Sequence, residues 1–145
     1  MKYYLLVYII LSFILVSCKS QMSNYEDYKG KMIVIGKGGG FSGAYDEFSI
    51  LENGQVYKYN TITKERLLLG RMKKNFSEQV FNNYKLLKIG EKGNNAPGNM
   101  NYFIEFKNGE NSLKSIWSDQ KDESTREMVL FYKTVMNYIS VSVEK

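Results

Sequence analysis

Two Asn-Gly dipeptides, Asn53-Gly54 and Asn108-Gly109, constrain the fold of this chain more than any other feature. Asn-Gly favours the positive φ angles of a two-residue hairpin turn, and both pairs lie between runs rich in aromatic and β-branched residues. They therefore predict two β-hairpins. The predicted strands cover residues 31–36, 45–51, 55–60, 65–72, 101–107 and 113–118, although the apolar run in the fourth would also suit a helix.

Two further segments repeat apolar residues at the three-to-four-residue spacing of an amphipathic helix. The first runs to about Lys88, with Gly90 ending it, and the second spans about residues 123–140. Their apolar positions are Val80, Phe81, Tyr84 and Leu87 in the first, and Met128, Tyr132, Val135 and Ile139 in the second. The side chains expected to cap them are Asn75 or Ser77 for the first, and Asp119, Asp122 and Glu123 for the second.

Hairpins followed by helices indicate an α+β domain, an antiparallel sheet of hairpins with two helices packed on it. The length of 145 residues suits one domain, since domains usually have about 100–200 residues. We assign residues 31–145 to this domain. Trp117 is expected in its core, because a lone tryptophan within a strand more often packs than binds a ligand.

The composition excludes the commonest hydrolytic and metal sites. The chain has no histidine and one cysteine, so a Ser-His-Asp triad, a Cys-His pair, an HExxH zinc site and an internal disulfide are impossible within it. Carboxylates such as Asp46 and Glu47 could serve a glycosidase, which needs two of them beside the sugar. We nevertheless expect a protein that binds rather than catalyses, with no cofactor and no metal.

The N-terminal sequence, MKYYLLVYIILSFILVSC, combines a basic start, an apolar run and a final cysteine. The run is shorter than the roughly 20 residues of a membrane-spanning helix and matches the hydrophobic region of a secretory signal. Leu15-Val16-Ser17-Cys18 resembles the bacterial lipobox, in which a signal peptidase cuts before a cysteine that carries the lipid. An ordinary signal peptide that contains a cysteine, or an N-terminal membrane anchor, is the alternative.

The lipobox resemblance implies a signal peptide over residues 1–17, a lipidated Cys18 that binds the membrane, and a polar tether over residues 18–30. Lys19-Ser20 follows the cysteine without an aspartate. By analogy with lipoprotein sorting in enterobacteria, this favours the outer membrane within the bacterial cell envelope. Nucleic acid is not expected as a partner of an exported lipoprotein.

A glycine-rich segment formally satisfies GxGxxG, but a strand follows it where a nucleotide site requires a helix. Nucleotide is therefore not expected either. Two interpretations remain: a structural turn with Phe41 packed in the core, or a loop that presents its backbone and Phe41 to a partner. The candidate partner-binding residues are Gly38, Gly39, Gly40, Phe41, Ser42 and Gly43.

Two segments, Gly39-Gly40-Phe41-Ser42-Gly43 and Tyr102-Phe103-Ile104-Glu105-Phe106, together with Asn108-Gly109 and the last helix, resemble emfourins. Emfourins are small bacterial protein inhibitors of thermolysin-like metallopeptidases, and similar glycine-Phe strands occur in uncharacterised lipoproteins of the Bacteroidetes. The resemblance implies a lipid-anchored inhibitor whose partner is a peptidase. The alternative is an accessory or structural envelope lipoprotein that binds a protein or a glycan.

Overall fold

The computed structural model describes residues 24–92, 95–118 and 123–144. The predicted signal peptide, Cys18 and the predicted cap residues Asp119 and Asp122 lie outside these ranges. Within them the elements are β1 (Lys31–Gly39), β2 (Ala44–Leu51), β3 (Gln55–Asn60), β4 (Arg66–Met72), α1 (Lys74–Leu86), β5 (Asn95–Ala96), β6 (Met100–Asn108), β7 (Asn111–Ser118), α2 (Arg126–Ser142) and β8 (Val143–Glu144).

The strands form one sheet in the order β5-β7-β6-β1-β2-β3-β4-β8. Neighbouring strands run antiparallel, apart from β5 and β7, which are parallel. Asn53-Gly54 joins β2 to β3, and Gly109 follows β6 in the connection to β7, with φ angles of 87° at Gly54 and 60° at Gly109. The predicted α+β class is confirmed.

The helices cover one face of the sheet and build the larger core. Trp117 is buried there, as predicted, and Val80 and Tyr84 of α1 and Met128, Phe131 and Val135 of α2 pack in the same cluster. The remaining buried residues of this cluster are Ile33, Ile35, Ile50, Val56, Met72, Phe81, Ile89, Ile104 and Ile139. Neither α1 nor α2, nor any other helix in the described ranges, is long and apolar enough to cross a membrane.

The predicted start of the first helix was wrong. α1 begins at Lys74, before Asn75, and Ser77 is buried in its first turn, where its hydroxyl donates a hydrogen bond to the Lys74 carbonyl at 3.0 Å. Ser77 is thus an interior residue rather than a cap. The second helix begins at Arg126, because Glu123–Thr125 forms a short 3-10 turn ahead of it.

The glycine-rich segment begins inside a strand, not in a loop. Gly36 pairs with Glu47 of β2 and Phe103 of β6, and Gly38 pairs with Tyr45 and Asn101. A Cβ on Gly36 would lie 2.2 Å from the Phe103 ring, and one on Gly38 would lie 2.1 Å from the Ala44 carbonyl oxygen and 2.6 Å from Cγ of Tyr45. The Phe103 and Tyr45 rings and the β2 backbone therefore occupy the space that side chains would need at these two positions.

The face of the sheet opposite the helices is covered by the segment that precedes β1. Tyr25 and Tyr28 pack against a second cluster that contains Met32, Val34, Leu51 and Phe103. These two tyrosines belong to residues predicted to form a polar tether. Part of that segment is thus packed on the domain.

Tyr25 is held by contacts to three strands. The Arg66 guanidinium of β4 lies 3.7 Å from the centre of the Tyr25 ring and 4.6 Å from that of Tyr59. The Tyr57 ring of β3 meets Tyr25 edge-on at 5.3 Å, and the Ser49 hydroxyl of β2 donates a hydrogen bond to the Tyr25 hydroxyl at 3.4 Å. Cation–π and aromatic contacts of this kind each contribute about 0.5–1 kcal/mol.

Glu47 is a half-buried carboxylate of this second face. Burial raises its pKa, as does the negative charge of Glu105, whereas the ammonium groups of Lys114 and Lys107 lower it. The net effect is a raised pKa, because the desolvation of the carboxylate outweighs the nearby cations. The charged form of Glu47 therefore destabilises the folded state relative to the neutral form.

We expect Gly36→Ala to lower the free energy of unfolding by about 1–3 kcal/mol, because the new methyl group overlaps the Phe103 ring. Adding Phe103→Leu should recover part of that loss, since it removes the atoms in conflict. Urea unfolding measures both effects. Gly109→Ala, which only strains a φ of 60°, is the control: equal rescue of it by Phe103→Leu would contradict the packing argument.

We expect Glu47→Gln to stabilise the protein at pH 7 and to have no such effect at pH 4. A raised folded-state pKa means that the folded state retains its proton more strongly than the unfolded state, so stability falls as pH rises through that pKa. The amide cannot ionise and escapes this loss. Urea midpoints of both proteins between pH 4 and 7 test this, and a stabilisation that is independent of pH would contradict it.

Candidate functional site

The connection between β1 and β2 is a tight turn at residues 40–43. The Gly40 N–H donates a hydrogen bond to the Asn99 carbonyl at 2.6 Å, and the Gly43 N–H donates one to the Gly40 carbonyl at 3.3 Å. The φ angles are 113° at Gly39, 67° at Gly40 and 61° at Gly43. Because glycine adopts these angles without steric cost, the repeated glycines define the turn's conformation.

Phe41 lies at the apex of this turn with its side chain fully exposed, at 111% relative accessibility. The interpretation in which Phe41 packs into the core was therefore wrong. Its neighbours Gly40 and Ser42 are small, and the turn projects past the end of the sheet, so the ring extends into solvent. Exposed aromatic rings on protruding turns are common anchors of protein interfaces.

The side-chain amide of the buried residue Asn101 supports the turn through two hydrogen bonds. Asn101 of β6 accepts a hydrogen bond at Oδ1 from the Gly98 N–H at 2.7 Å, and its Nδ2 donates one to the Tyr45 hydroxyl at 3.3 Å. These bonds connect the segment before β6, β6 itself and β2. Asn101 was not among the predicted site residues. The only local indication of its role is that a polar residue stands at the start of an apolar strand.

A groove of about 780 Å³ runs beside the turn, between it and α2. Phe48, Tyr132 and Met136 form its apolar part, and all three are partly buried members of the main core. The other lining residues are Lys37, Gly38, Gly39, Gly40, Phe41, Ser42, Ala44, Tyr45, Asp46, Asn60 and Met100. The volume is in the range of pockets that take a small ligand or a side chain of a partner.

Polar side chains from three neighbouring strands form a row along the groove. Lys37 of β1 pairs in register with Asp46 of β2, which pairs with Asn60 of β3. Asp46 also forms an ion pair with Lys58 at 3.2 Å, and the Lys37 ammonium lies 5.0 Å from the centre of the Tyr102 ring. The row therefore offers a cation, an anion and an amide to a bound molecule.

Tyr132, one of two tyrosines that line the groove, stays neutral near pH 7. Burial raises the pKa of Tyr132, and the neighbouring Tyr102 and Asp46 raise it further. Its hydroxyl can thus donate a hydrogen bond but does not act as a base in this range. In the described ranges, no group of three or more Asp, Glu, Cys or His residues is arranged to hold a metal ion.

The predicted partner-binding residues lie together at one end of the sheet, in two environments. Gly38 is buried inside β1, whereas Phe41, Ser42 and Gly43 are exposed in the turn and Gly39 and Gly40 are half-buried at its base. Cys18, the predicted lipidation site, lies outside the described residues.

The end of the sheet thus combines a glycine-defined turn, a fully exposed aromatic ring and an open groove, an arrangement suited to binding. A scan of protein-family models finds none that matches the chain, and a search of curated proteins finds no significant match.

Proposed function

We propose that the protein is a lipid-anchored binding protein of the bacterial envelope that inhibits thermolysin-like metallopeptidases, as emfourins do. The single observation that carries the proposal is Phe41, a fully exposed aromatic side chain on a turn held by backbone hydrogen bonds. Because the backbone of the turn is already held, binding has to order the Phe41 side chain but not the turn, which lowers the entropic cost of forming a complex.

Inhibition of this kind needs no catalytic group. Shape, backbone hydrogen bonds and an apolar anchor are sufficient for a reversible inhibitor, and the chain contains no histidine. Burying a phenylalanine side chain in a partner stabilises a complex by about 1.5–3 kcal/mol. The turn is convex, so its partner must be concave, as an active-site cleft is.

The emfourin resemblance maps onto neighbouring parts of the structure. Residues 39–43 include the whole turn, and residues 102–106 lie in β6, which pairs with β1 beside it. Phe103 of that second segment is the residue whose ring covers Gly36. Both parts of the pattern therefore meet at β1, since the first lies at its end and the second pairs with its middle.

We expect the full chain, purified in mild detergent, to inhibit thermolysin at micromolar concentration or below. Phe41→Ala should weaken inhibition about 30-fold, because anchor residues of interfaces contribute about 2 kcal/mol or more. The inhibition constant is measured from hydrolysis of a peptide substrate. Leu86→Ala is the matched control, since Leu86 is 78% exposed but lies on α1. Failure of the wild type to inhibit thermolysin and related peptidases would refute the proposed activity.

The proposed localisation depends on Cys18. We expect cells that express the full chain to incorporate labelled palmitate into it, and Cys18→Ala to abolish the label and to release the protein from the membrane fraction. Stable anchoring takes two membrane signals, such as two acyl chains. Cys18 is the predicted site of acylation, so its loss should greatly reduce the amount of protein bound to the membrane. Ser20→Ala is the neighbouring control. A label that persists in Cys18→Ala would rule out this anchor.

The second candidate function is an accessory envelope lipoprotein that binds a protein or a glycan. The polar row of Lys37, Asp46 and Asn60 beside the aromatic ring of Tyr132 is the observation that favours a glycan. Sugar rings stack on aromatic faces and use such side chains to bind their hydroxyl groups. Asp46→Ala would weaken glycan binding, whereas Phe41→Ala would have the larger effect on a peptidase.

A further inference from the structure

A second turn lies at the same end of the sheet as Phe41. β1, β2, β3 and β4 are consecutive antiparallel neighbours, so the β1–β2 and β3–β4 connections emerge at one end. The β3–β4 connection, residues 61–65, carries Ile62, whose side chain is 64% exposed. One end of the sheet thus presents two turns, each with a large exposed hydrophobic residue.

The second turn is also held in one conformation. The Asn60 side-chain oxygen accepts hydrogen bonds from the Ile62 N–H at 2.8 Å and the Thr63 N–H at 3.1 Å. The Asn60 N–H donates to the Glu65 carbonyl at 3.1 Å, and Lys64 adopts a φ of 57°. An asparagine side chain that accepts hydrogen bonds from N–H groups two and three residues later commonly stabilises a turn.

Hydrogen bonds between Thr61 and Tyr45 connect the two turns. The Tyr45 N–H donates to Thr61 Oγ1 at 2.8 Å, and the Thr61 N–H donates to the Tyr45 carbonyl at 3.3 Å. Tyr45 is the second residue of β2, directly beyond the first turn. These hydrogen bonds therefore fix the distance between the two turns before any partner binds.

The groove extends from the first turn to the start of the second. Phe41 and Ser42 line it from the first turn, and Asn60, the last residue before the second turn, lines it as well. Ile62 does not line the groove but lies two residues beyond Asn60. The two turns, which carry Phe41 and Ile62, and the adjoining groove lie at the same end of the sheet, and we call them the two-turn surface.

We propose that Ile62 is a second anchor of the same interface, and that the partner has a concave apolar site that receives Phe41 and Ile62 together. This inference rests on the proposed function, and it specifies the shape and chemistry of the peptidase site that the protein would block. Single exposed hydrophobic residues are normal on protein surfaces. Ile62 differs from them because it lies at a locked turn joined to the one that carries Phe41.

The charges around the two-turn surface nearly cancel, which favours an apolar partner site. Lys64 and Glu65 follow Ile62 with opposite signs, and Asp46 is paired with Lys58. Lys37 of the groove, whose ammonium lies over the Tyr102 ring, adds a single positive charge. Since the excess among these residues is one charge, association should depend only weakly on salt. An anionic lipid headgroup or an acidic polysaccharide would instead bind less as salt increases.

The test compares inhibition of thermolysin by the full-length wild type and by Ile62→Ala, Phe41→Ala and the double variant. Ile62→Ala should weaken inhibition about tenfold, a smaller loss than for Phe41→Ala because the side chain is smaller. Ile62→Leu, which keeps an apolar side chain, should retain inhibition within about threefold. The inhibition constant of the wild type should change less than about threefold between 0.05 and 0.5 M NaCl.

The outcomes separate this inference from the proposed function. If Phe41→Ala weakens inhibition but Ile62→Ala stays within twofold of the wild type, the second anchor is wrong and the inhibitor function stands. A wild type that does not inhibit overturns both. An equal loss in the control Leu86→Ala, or a strong decrease of inhibition with salt, would also overturn the two-turn surface. Thermal unfolding of each variant identifies any loss of inhibition that is caused by misfolding. If Ile62→Ala is misfolded, the inhibition constant of Ile62→Leu decides whether Ile62 is an anchor.

Discussion

The packing of two aromatic rings onto two glycines of β1 is the contact on which the rest of the structure depends. Phe103 covers Gly36 and Tyr45 lies against Gly38, and the two rings are 6.0 Å apart between centroids. This fixes β1 between β2 and β6. Tyr45 then bonds to Asn101 and to Thr61, so a single residue links the core of the sheet to both turns at its end.

Local sequence signals predicted the parts of the fold that depend on local chemistry. The Asn-Gly pairs marked the connections that follow β2 and β6, and the helical spacing of apolar residues found α1 and α2. The first strand was predicted to end at Gly36, whereas β1 continues to Gly39, because a glycine-rich segment indicates a loop when only neighbours in sequence are considered. Gly36 makes room for Phe103, which is distant in sequence but adjacent in the sheet.

The candidate site was predicted only in part for the same reason. The turn at Gly39, Gly40 and Gly43 could be predicted from the sequence, because a run of glycines indicates backbone with positive φ angles. The exposure of Phe41 could not be predicted, because it depends on how far the turn projects beyond the sheet. Asn60 accepts hydrogen bonds from the nearby Ile62 and Thr63 N–H groups, a local turn pattern that the sequence could have indicated. The bond from Asn101 to the Tyr45 hydroxyl joins residues that only folding brings together, so it could not be predicted.

The segment packed across the second face changes how an acylated Cys18 would position the domain. Contacts to Arg66, Tyr57 and Ser49 hold Tyr25 on the sheet, so the segment between an acylated Cys18 and the folded protein would end there. Seven peptide units separate Cys18 from Tyr25, a contour length of at most about 25 Å. If Cys18 is acylated, so short a segment would confine the domain to a thin layer above the bilayer, where it would meet partners that share the membrane at a much higher local concentration than freely diffusing ones.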